Sequence, residues 1–313
     1  MSPDVAASVR ARLLNRAKAS GEEFELALAR FAAERLLFRL GACGARDRCI
    51  LKGASLLSVW LHEPYRATRD VDVLLSGDAD NTAIRSLLRE VCAVVCPEDA
   101  IRFDLSGLIV EDIRADEEYV GKRARFQAFL GKARIPVQVD FGVGDAVTAP
   151  PEEIAYPRLL DTLPQPRLRA YPREASVAEK FEAMVKLDAN NSRMKDFHDI
   201  WALSGAFAFE GSALQRAVAA CFERRGTPLT DQTPRVLTSA FYQLPNLQTR
   251  WRNYRAATTI LAPPPMQFEV VGEQIGRFLQ PIWQSIVTRE PFENAWRPGG
   301  PWSWPGTVKD HST

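Results

Sequence analysis

The sequence predicts an α+β fold in which a mixed α/β part is followed by a mostly helical part. Short apolar runs with the alternation of β-strands occur between residues 49 and 141, whereas from Ser176 onward apolar residues recur at helical spacing. Between these parts, six prolines fall within residues 150–172, a density typical of a linker or a surface loop. The 313 residues correspond to about two domains, which we place at 1–165 and 166–313.

The first part begins with helices and continues with strands. Apolar residues at steps of three or four predict helices in the first fifty residues, with Gly21 separating two of them. The elements that follow are a strand at 49–51, a helix at 56–61 with Ser55 as its N-cap, a strand at 69–75, a helix at 81–92, a hairpin of strands 101–105 and 108–113 about Ser106-Gly107, and a second strand pair, 123–130 and 135–141, turning at Gly131-Lys132.

The second part is predicted to be helical throughout. Helical spacing extends over the segments 176–188, 195–203, 214–224, 234–242, 249–261 and 268–287. Three consecutive prolines at 263–265 separate the last two segments, because proline cannot continue a helix. The tail from Pro291 shows no periodicity, so no element is assigned to it.

The composition excludes several classes of protein. The formal net charge is +1, from 40 Lys and Arg against 39 Asp and Glu, which excludes a basic surface over the whole chain but not a local patch. No run approaches the ~18 apolar residues of a membrane span, and the N-terminus lacks a signal-peptide pattern. Five cysteines without C-x-x-C spacing fit a reducing cytosol, and three histidines make a multi-His zinc site implausible. We therefore expect a cytoplasmic protein with no membrane partner.

Three aspartates stand on predicted strands. Asp70 and Asp72 are two residues apart, so both side chains leave the same face, while Val71 and Val73 leave the opposite one. Asp140 ends a second strand, and the three carboxylates converge if the two strands are neighbours. Like charges at one place repel unless a cation lies between them, and oxygen ligands select Mg²⁺ or Mn²⁺. On spacing alone, however, an Asp-x-Asp strand is more often a solvated face.

The residues before the aspartate pair make it more informative. Lys52-Gly53-Ala54-Ser55 follows a buried strand and opens a helix, so its amides could bind phosphate. Such a turn is weak evidence by itself. A strand, a glycine turn, a short helix, an Asp-x-Asp strand and a later Asp strand form a much more specific order.

This order resembles the AbiEii/AbiGii toxin family, which includes the MenT toxins and belongs to the DNA polymerase beta-like nucleotidyltransferase superfamily. The segments that carry the resemblance are 52–56, 66–73, 139–145, 178–183 and 195–203. The resemblance covers roughly residues 45–205. It implies a nucleotidyltransferase-type mixed sheet with flanking helices, followed by a helical domain that completes the active site and contacts the acceptor.

The resemblance also implies ligands for metal and nucleotide in the first part. Asp70, Asp72 and Asp140 would bind catalytic Mg²⁺ or Mn²⁺, and Asp140 would also orient or deprotonate the attacking hydroxyl. Gly53 and Ser55 would hold the nucleoside triphosphate (NTP). The family has adjacent Gly-Ser at this point, whereas an alanine intervenes here. Either the serine or the alanine amide could therefore contact phosphate.

In the helical part, the resemblance implies a lysine and an aspartate of the site. Lys180 would neutralise phosphate charge, with Lys186 as a competitor on the same predicted helix. Asp196 or Asp199 would complete the site. These two aspartates are three apart and share one helix face, an arrangement that alone is most often a surface salt bridge. His198 is expected to be a partly buried helix residue.

The resemblance predicts a Mg-dependent nucleotidyltransferase toxin that transfers a nucleoside monophosphate from an NTP to an acceptor and releases pyrophosphate. It implies tRNA as the acceptor and a cognate antitoxin as partner. Two alternatives are a small-molecule nucleotidyltransferase of the aminoglycoside-modifying type and a non-catalytic binding or regulatory module. Retention of Asp70, Asp72 and Asp140 argues against the non-catalytic module.

Two stretches combine positive charge with features suited to RNA. One is the predicted strand pair, which carries Lys122, Arg123, Arg125, Lys132 and Arg134. The other is segment 250–255, in which arginines alternate with Trp251 and Tyr254. Aromatic rings can stack on unpaired bases, but in this second stretch the favoured interpretation is that both rings pack into the core.

Overall fold

A computed structural model gives the structure of the chain and describes residues 4–61, 70–115, 119–144, 150–257 and 263–304. The chain divides into two compact units. Unit 1 contains residues 1–145 and 151–171, and unit 2 contains residues 146–150 and 172–313.

Unit 1 contains four described α-helices. They are α1 (Val5–Ser20), α2 (Phe24–Ala42), α3 (Ser55–Trp60) and α4 (Asn81–Ala93). Gly21 ends α1 in the left-handed conformation, where its N–H donates to the carbonyls of Ala17 and Lys18. The Asp80 side chain accepts the N–H of Ala83 and caps the N-terminus of α4.

The centre of unit 1 is a mixed seven-stranded sheet of order β3-β4-β5-β2-β1-β7-β6. Its strands are β1 (Cys49–Lys52), β2 (Asp70–Leu75), β3 (Ile101–Ala115), β4 (Tyr119–Leu130), β5 (Ala133–Val143), β6 (Glu152–Ala155) and β7 (Arg167–Ala170). The pairs β2–β5 and β1–β7 are parallel, and the other neighbours are antiparallel.

One face of this sheet is covered by helices. Val71 and Val73 of β2 and Val139 and Phe141 of β5 are at most 2% exposed. They line one apolar layer together with leucines of α2 and α4. Because side chains alternate along a strand, the intervening residues of β2 and β5 leave the sheet on the opposite face.

The predicted hairpin about Ser106-Gly107 is wrong. Residues 101–115 form the single strand β3, which pairs with β4 on both sides of a register shift between Asp104 and Ile109. The Asp104 carboxylate accepts the N–H of Ser106 at 2.9 Å, a local bond that suits a bulge as well as a turn. The turn residues therefore mark a bulge in a long strand.

The proline-rich segment 150–172 is not simply a linker or surface loop. It contributes β6 and β7, and β7 extends the sheet beyond β1. Two buried residues of α2 hold the loop between these strands: Glu34 accepts the N–H of Leu159 at 2.6 Å, and Arg35 donates to the carbonyl of Pro164 at 2.9 Å. These hydrogen bonds to α2 hold the proline-rich loop in a defined conformation.

Unit 2 is mostly helical, with a small three-stranded sheet. Its helices are α5 (Arg173–Leu187), α6 (Met194–Ala206), α7 (Gly211–Arg224), α8 (Ser239–Tyr242), α9 (Pro245–Ala257) and α10 (Phe268–Thr288). The sheet has the order β10-β9-β8 and contains β8 (Phe209–Glu210), β9 (Ala295–Trp296) and β10 (Trp302–Ser303). The structure thus confirms the predicted α+β fold with a mixed sheet and many helices.

The tail that the sequence left unassigned supplies two of these strands. Trp296 is fully buried and its indole N–H donates to the carbonyl of Ser204 at 2.7 Å. The Trp302 ring stacks on Phe278 of α10 with ring centroids 5.7 Å apart. Large aromatic rings hold the tail in place without any periodic pattern. In the described part of the chain, no helix is long and apolar enough to span a membrane.

The close packing of α2 on β7 leads to a prediction about stability. A Cβ at Gly41 would lie 2.1 Å from the backbone carbonyl oxygen of Arg167, so Gly41→Ala must push the helix from the strand. We expect a loss of about 1–3 kcal/mol in unfolding free energy, measured by urea denaturation. The control is Gly107→Ala, where a Cβ would meet no atom within 4 Å. Equal stability of the two variants would contradict this packing.

Candidate active site

The parallel pairing of β2 with β5 sets the first group of candidate residues. Asp72 is directly opposite Asp140, and Asp70 is directly opposite Gln138. Cross-strand partners share a face, so the three aspartates leave the sheet on the side opposite the helix-covered face. The sequence predicted that the carboxylates converge if the two strands are neighbours, and in the structure β2 and β5 are neighbours.

The glycine turn lies against one of these aspartates. Gly53 has φ +71°, and a Cβ there would lie 2.1 Å from the Oδ2 atom of Asp72. Both the backbone conformation and the space therefore require glycine. The antiparallel pairing of Lys52 with Asp72 places this turn at the end of the strand pair.

Ser55 is not the N-cap that the sequence predicts. It is the first residue of α3, it is 2% exposed, and Ala54 precedes it without a side-chain cap. Its hydroxyl lies 3.4 Å from the backbone carbonyl of Asp70, to which it donates. Burial raises the pKa of Tyr156 to about 12, and a hydrogen bond with the Ser55 hydroxyl opposes that rise. In this arrangement Ser55 connects α3 to the beginning of β2.

Asp140 has a partner that the prediction of the site missed. Arg123 on β4 is the cross-strand partner of Asp140, and its Nε and Nη2 atoms donate to Oδ1 at 2.8 Å and to Oδ2 at 2.6 Å. The pair is half-buried, with 29% of the arginine and 17% of the aspartate side chain exposed. The hydrogen bonds to Asp140 raise the pKa of Arg123 in spite of the opposing effect of burial, and the charges of Asp70 and Glu111 add to the rise.

The donor set can be tested for a divalent cation. Among the described residues, no three His, Cys, Asp or Glu side chains are grouped so that they could hold a metal ion. Mg²⁺ usually needs only one or two protein carboxylates, with water and substrate phosphates as its other ligands. Asp70 and Asp72 offer the oxygen ligands that such a hard cation prefers, and both oxygens of Asp140 accept hydrogen bonds from Arg123. The chemistry of the set fits Mg²⁺ or Mn²⁺ with two aspartates as its ligands.

A second group of candidate residues lies in unit 2. The Lys180 ammonium on α5 donates to Asp196 at 3.0 Å and to Asp199 at 2.6 Å, both on α6. Arg193 also donates to Asp196, at 2.6 Å. Both aspartate side chains are at most 1% exposed. The alternative of a surface salt bridge is therefore wrong, because this is a buried charge cluster.

The charges of the cluster decide its ionisation. Burial alone would raise the pKa of Asp196, but the positive charges of Lys180 and Arg193 outweigh it and lower that pKa below its ordinary value. The competing lysine, Lys186, is exposed near the end of α5. Of the two lysines, the structure joins Lys180 to the aspartates.

The aromatic residues of α9 are packed, as the favoured interpretation has it. Trp251 is fully buried and its indole N–H donates to the carbonyl of Pro265 at 3.2 Å. The Tyr254 hydroxyl lies 2.9 Å from Nδ1 of His198, which is fully buried rather than partly so. These rings are therefore committed to the core of unit 2.

Some motif residues lie outside the described part of the chain. They are the loop at 62–68 with Arg69, which precedes the aspartate pair, and Asp145 after the second aspartate strand.

Comparison with known protein families matches residues 35–287 to nucleotidyl transferase AbiEii toxins of type IV toxin–antitoxin systems. Among solved structures, a Helicobacter pylori protein described as a nucleotidyltransferase is 15% identical, with a TM-score of 0.47, over 82% of this chain and 93% of that one. JHP933 from Helicobacter pylori is 12% identical, with a TM-score of 0.45, over 80% and 89%. No curated protein matches the sequence.

The buried cluster of unit 2 predicts a pH-dependent stability. Asp196→Asn should cost about 3 kcal/mol at neutral pH, because it leaves Lys180 and Arg193 beside a neutral group. The pKa of Asp196 is lowered by folding, so the wild-type advantage should be complete above the ordinary value of 3.8 and decline as pH falls through the lowered pKa. Urea denaturation from pH 7 to pH 3 measures this difference.

The matched control for this measurement is Asp188→Asn, which removes an aspartate paired with Arg235 on the surface. Its cost should stay within about 0.5 kcal/mol. If Asp196→Asn cost as little as this control, the ion pairs of the cluster would contribute nothing to stability.

Proposed function

We propose a function from the premise that this chain belongs to the AbiEii family of nucleotidyl transferase toxins. We infer that it transfers a nucleoside monophosphate from an NTP to a hydroxyl of RNA, with tRNA as the first candidate, and releases pyrophosphate. The observation that supports this most directly is the register of β2 with β5. It sets Asp72, which lies against the turn at Gly53, opposite Asp140 and keeps Asp70 on the same face.

The proposed reaction exchanges one phosphate ester bond for another. The acceptor oxygen bonds to the α-phosphorus, the bond from that phosphorus to the bridging oxygen of pyrophosphate breaks, and the hydroxyl proton leaves to a base. Asp140 would orient the attacking hydroxyl and accept its proton. Asp70 and Asp72 would hold Mg²⁺ or Mn²⁺, which when bound supplies positive charge to the phosphates and lowers the pKa of the hydroxyl.

The family motifs suggest separate phosphate-binding roles for the turn at Gly53 and for Lys180. The turn at Gly53 would offer backbone N–H groups to the triphosphate, and a side chain at this position would collide with Asp72. Lys180 would neutralise phosphate charge through an ammonium group that Asp196 and Asp199 orient. Lys186, which is exposed, is the second candidate for this role.

An arginine-bearing sheet face supports RNA as the acceptor. We define the arginine face as Arg102, Arg123, Arg125 and Arg134. The cross-strand register continues from Asp70 to Gln138 and on to Arg125, so this face is continuous with the aspartates. Its arginines can contact phosphates, and the Phe129 ring, 4.5 Å from the Arg102 guanidinium, offers a surface for a base.

The same face bears on the alternative of an aminoglycoside-type acceptor. A polycationic drug would meet arginines on the approach to the aspartates, whereas an RNA strand would meet charges opposite to its own. Glu111 and Asp104 also lie on β3, so the face is mixed rather than strongly basic. We therefore propose RNA contacts by a few placed arginines.

The family also bears on the partner and the location. Type IV toxin–antitoxin systems pair the enzyme with an antitoxin. We propose that a cognate antitoxin opposes this enzyme and that both act in the cytoplasm.

The reaction is tested by transfer of label. Purified protein is incubated with total tRNA, Mg²⁺ and each α-labelled NTP in turn, and we expect label on RNA from one nucleotide. Asp72→Asn should reduce transfer by at least about 100-fold, because it removes a negative charge where cation and phosphate meet. The control is Asp112→Asn, an exposed aspartate of β3. If no NTP labels RNA, the acceptor is a protein or a small molecule, and failure of those too would favour a binding module.

The arginine face is tested by binding. Arg125→Ala with Arg134→Ala should weaken tRNA binding. The slope of log affinity against log salt concentration should become shallower by roughly 1.5, because two phosphate contacts are lost. Fluorescence anisotropy over a salt series measures both quantities. The control is Arg252→Ala with Arg297→Ala, two exposed arginines of unit 2. If the control pair lowers affinity more than the first pair, RNA binds elsewhere.

A further inference from the structure

We propose that Arg123 is a positioning residue that keeps Asp140 from binding a divalent cation until the phosphates of the nucleotide draw the guanidinium away. This inference rests on the proposed function, because it concerns the same three aspartates. It adds a residue outside the segments that carry the resemblance to the family. It also predicts an order of events: the cation and the nucleotide bind together, and neither binds tightly alone.

The contact between Arg123 and Asp140 is built into the sheet. The β4–β5 ladder continues without interruption from the pair Lys122–Phe141 to the pair Leu130–Ala133. This register makes Arg123 and Asp140 direct neighbours on one face, with both donor–acceptor distances below 3 Å. A bidentate arginine–carboxylate pair has fixed directions as well as opposite charges, so the side chains hold each other in one orientation.

The position of the guanidinium affects any cation at the aspartates. Asp140 is the cross-strand partner of Arg123 on one side and of Asp72 on the other. A divalent ion that used Asp140 would therefore lie close to a permanent positive charge on the same carboxylate. The two cations repel each other, and each carboxylate oxygen already accepts a hydrogen bond from the arginine, which weakens it as a ligand.

A bound triphosphate would relieve this competition. Phosphate oxygens have the charge and spacing that the guanidinium fork recognises in a carboxylate, so Arg123 can exchange Asp140 for phosphate without losing its hydrogen bonds. The exchange leaves Asp140 available to the cation or to the acceptor hydroxyl. Arg123 would thus act through Asp140 before the nucleotide binds and on the nucleotide afterwards.

The test measures cation binding without turnover. Mn²⁺ is titrated into the full-length protein without nucleotide, and the affinity is measured by calorimetry and by the electron paramagnetic resonance signal of free Mn²⁺. Arg123→Gln should bind Mn²⁺ at least about tenfold more tightly than the wild type, because a positive charge beside the ion is gone. Arg123→Lys keeps the charge and should bind Mn²⁺ about as weakly as the wild type.

The matched control is Arg89→Gln, which removes an exposed arginine of α4. Leucines of α4 pack on the face of the sheet opposite the aspartates, so loss of this arginine should leave Mn²⁺ affinity unchanged. In the presence of Mn²⁺, Arg123→Gln should also raise the KM for the NTP, whereas Arg89→Gln should not. Thermal unfolding of each variant checks that the fold is intact.

Two results would overturn the inference: Arg123→Gln binding Mn²⁺ no more tightly than the wild type, or Arg123→Lys binding it as tightly as Arg123→Gln. These measurements do not depend on an acceptor. If tighter Mn²⁺ binding is found but no NTP labels RNA, the competition for Asp140 stands and the proposed RNA acceptor fails.

Discussion

The parallel pairing of β2 with β5 resists a slip of one residue, because such a slip would turn the apolar residues of one strand away from the helices. In the observed register, Val71, Val73, Val139 and Phe141 are buried beneath the helices, and the aspartates leave on the other side. Hydrophobic burial on one face therefore fixes where the carboxylates stand on the other. The geometry of the candidate site follows from the packing of the core.

Charge is accommodated differently in the two units. In unit 1 the arginine–aspartate pair is half-buried, on the face of the sheet opposite the helices. In unit 2 Asp196 and Asp199 are almost completely buried, and the positive charges of Lys180 and Arg193 lower the pKa of Asp196 despite its burial. The first arrangement suits groups that exchange partners, and the second suits groups that hold a fixed orientation.

Much of the fold could be predicted because alternation and helical spacing are local signals. The predicted turn at Gly131-Lys132 already implies that Arg123 pairs with Asp140, because the two residues are equally far from it. The prediction nevertheless assigned Arg123 to an RNA patch.

Other parts of the fold depend on contacts that are not local. The bulge in β3 was taken for a turn because both use the same residues, and only pairing with β4 distinguishes them. The short strands β6 and β7 were missed because prolines surround them and because the partner of β7, β1, is far away in sequence. The burial of the Lys180 cluster also depends on tertiary packing, which spacing alone does not show.

The pairing of β1 with β7 has a consequence for synthesis of the chain. Ile50 and Leu51 emerge from the ribosome early, whereas their partners Arg169 and Ala170 come more than a hundred residues later. At about 5–20 residues per second, β1 keeps an open, apolar edge for several seconds while the rest of the sheet forms. A chain that ends before residue 167 would keep that edge permanently and would be prone to pair with strands of other molecules. Thus β7, the last strand of this sheet along the chain, covers the free edge of β1, the first.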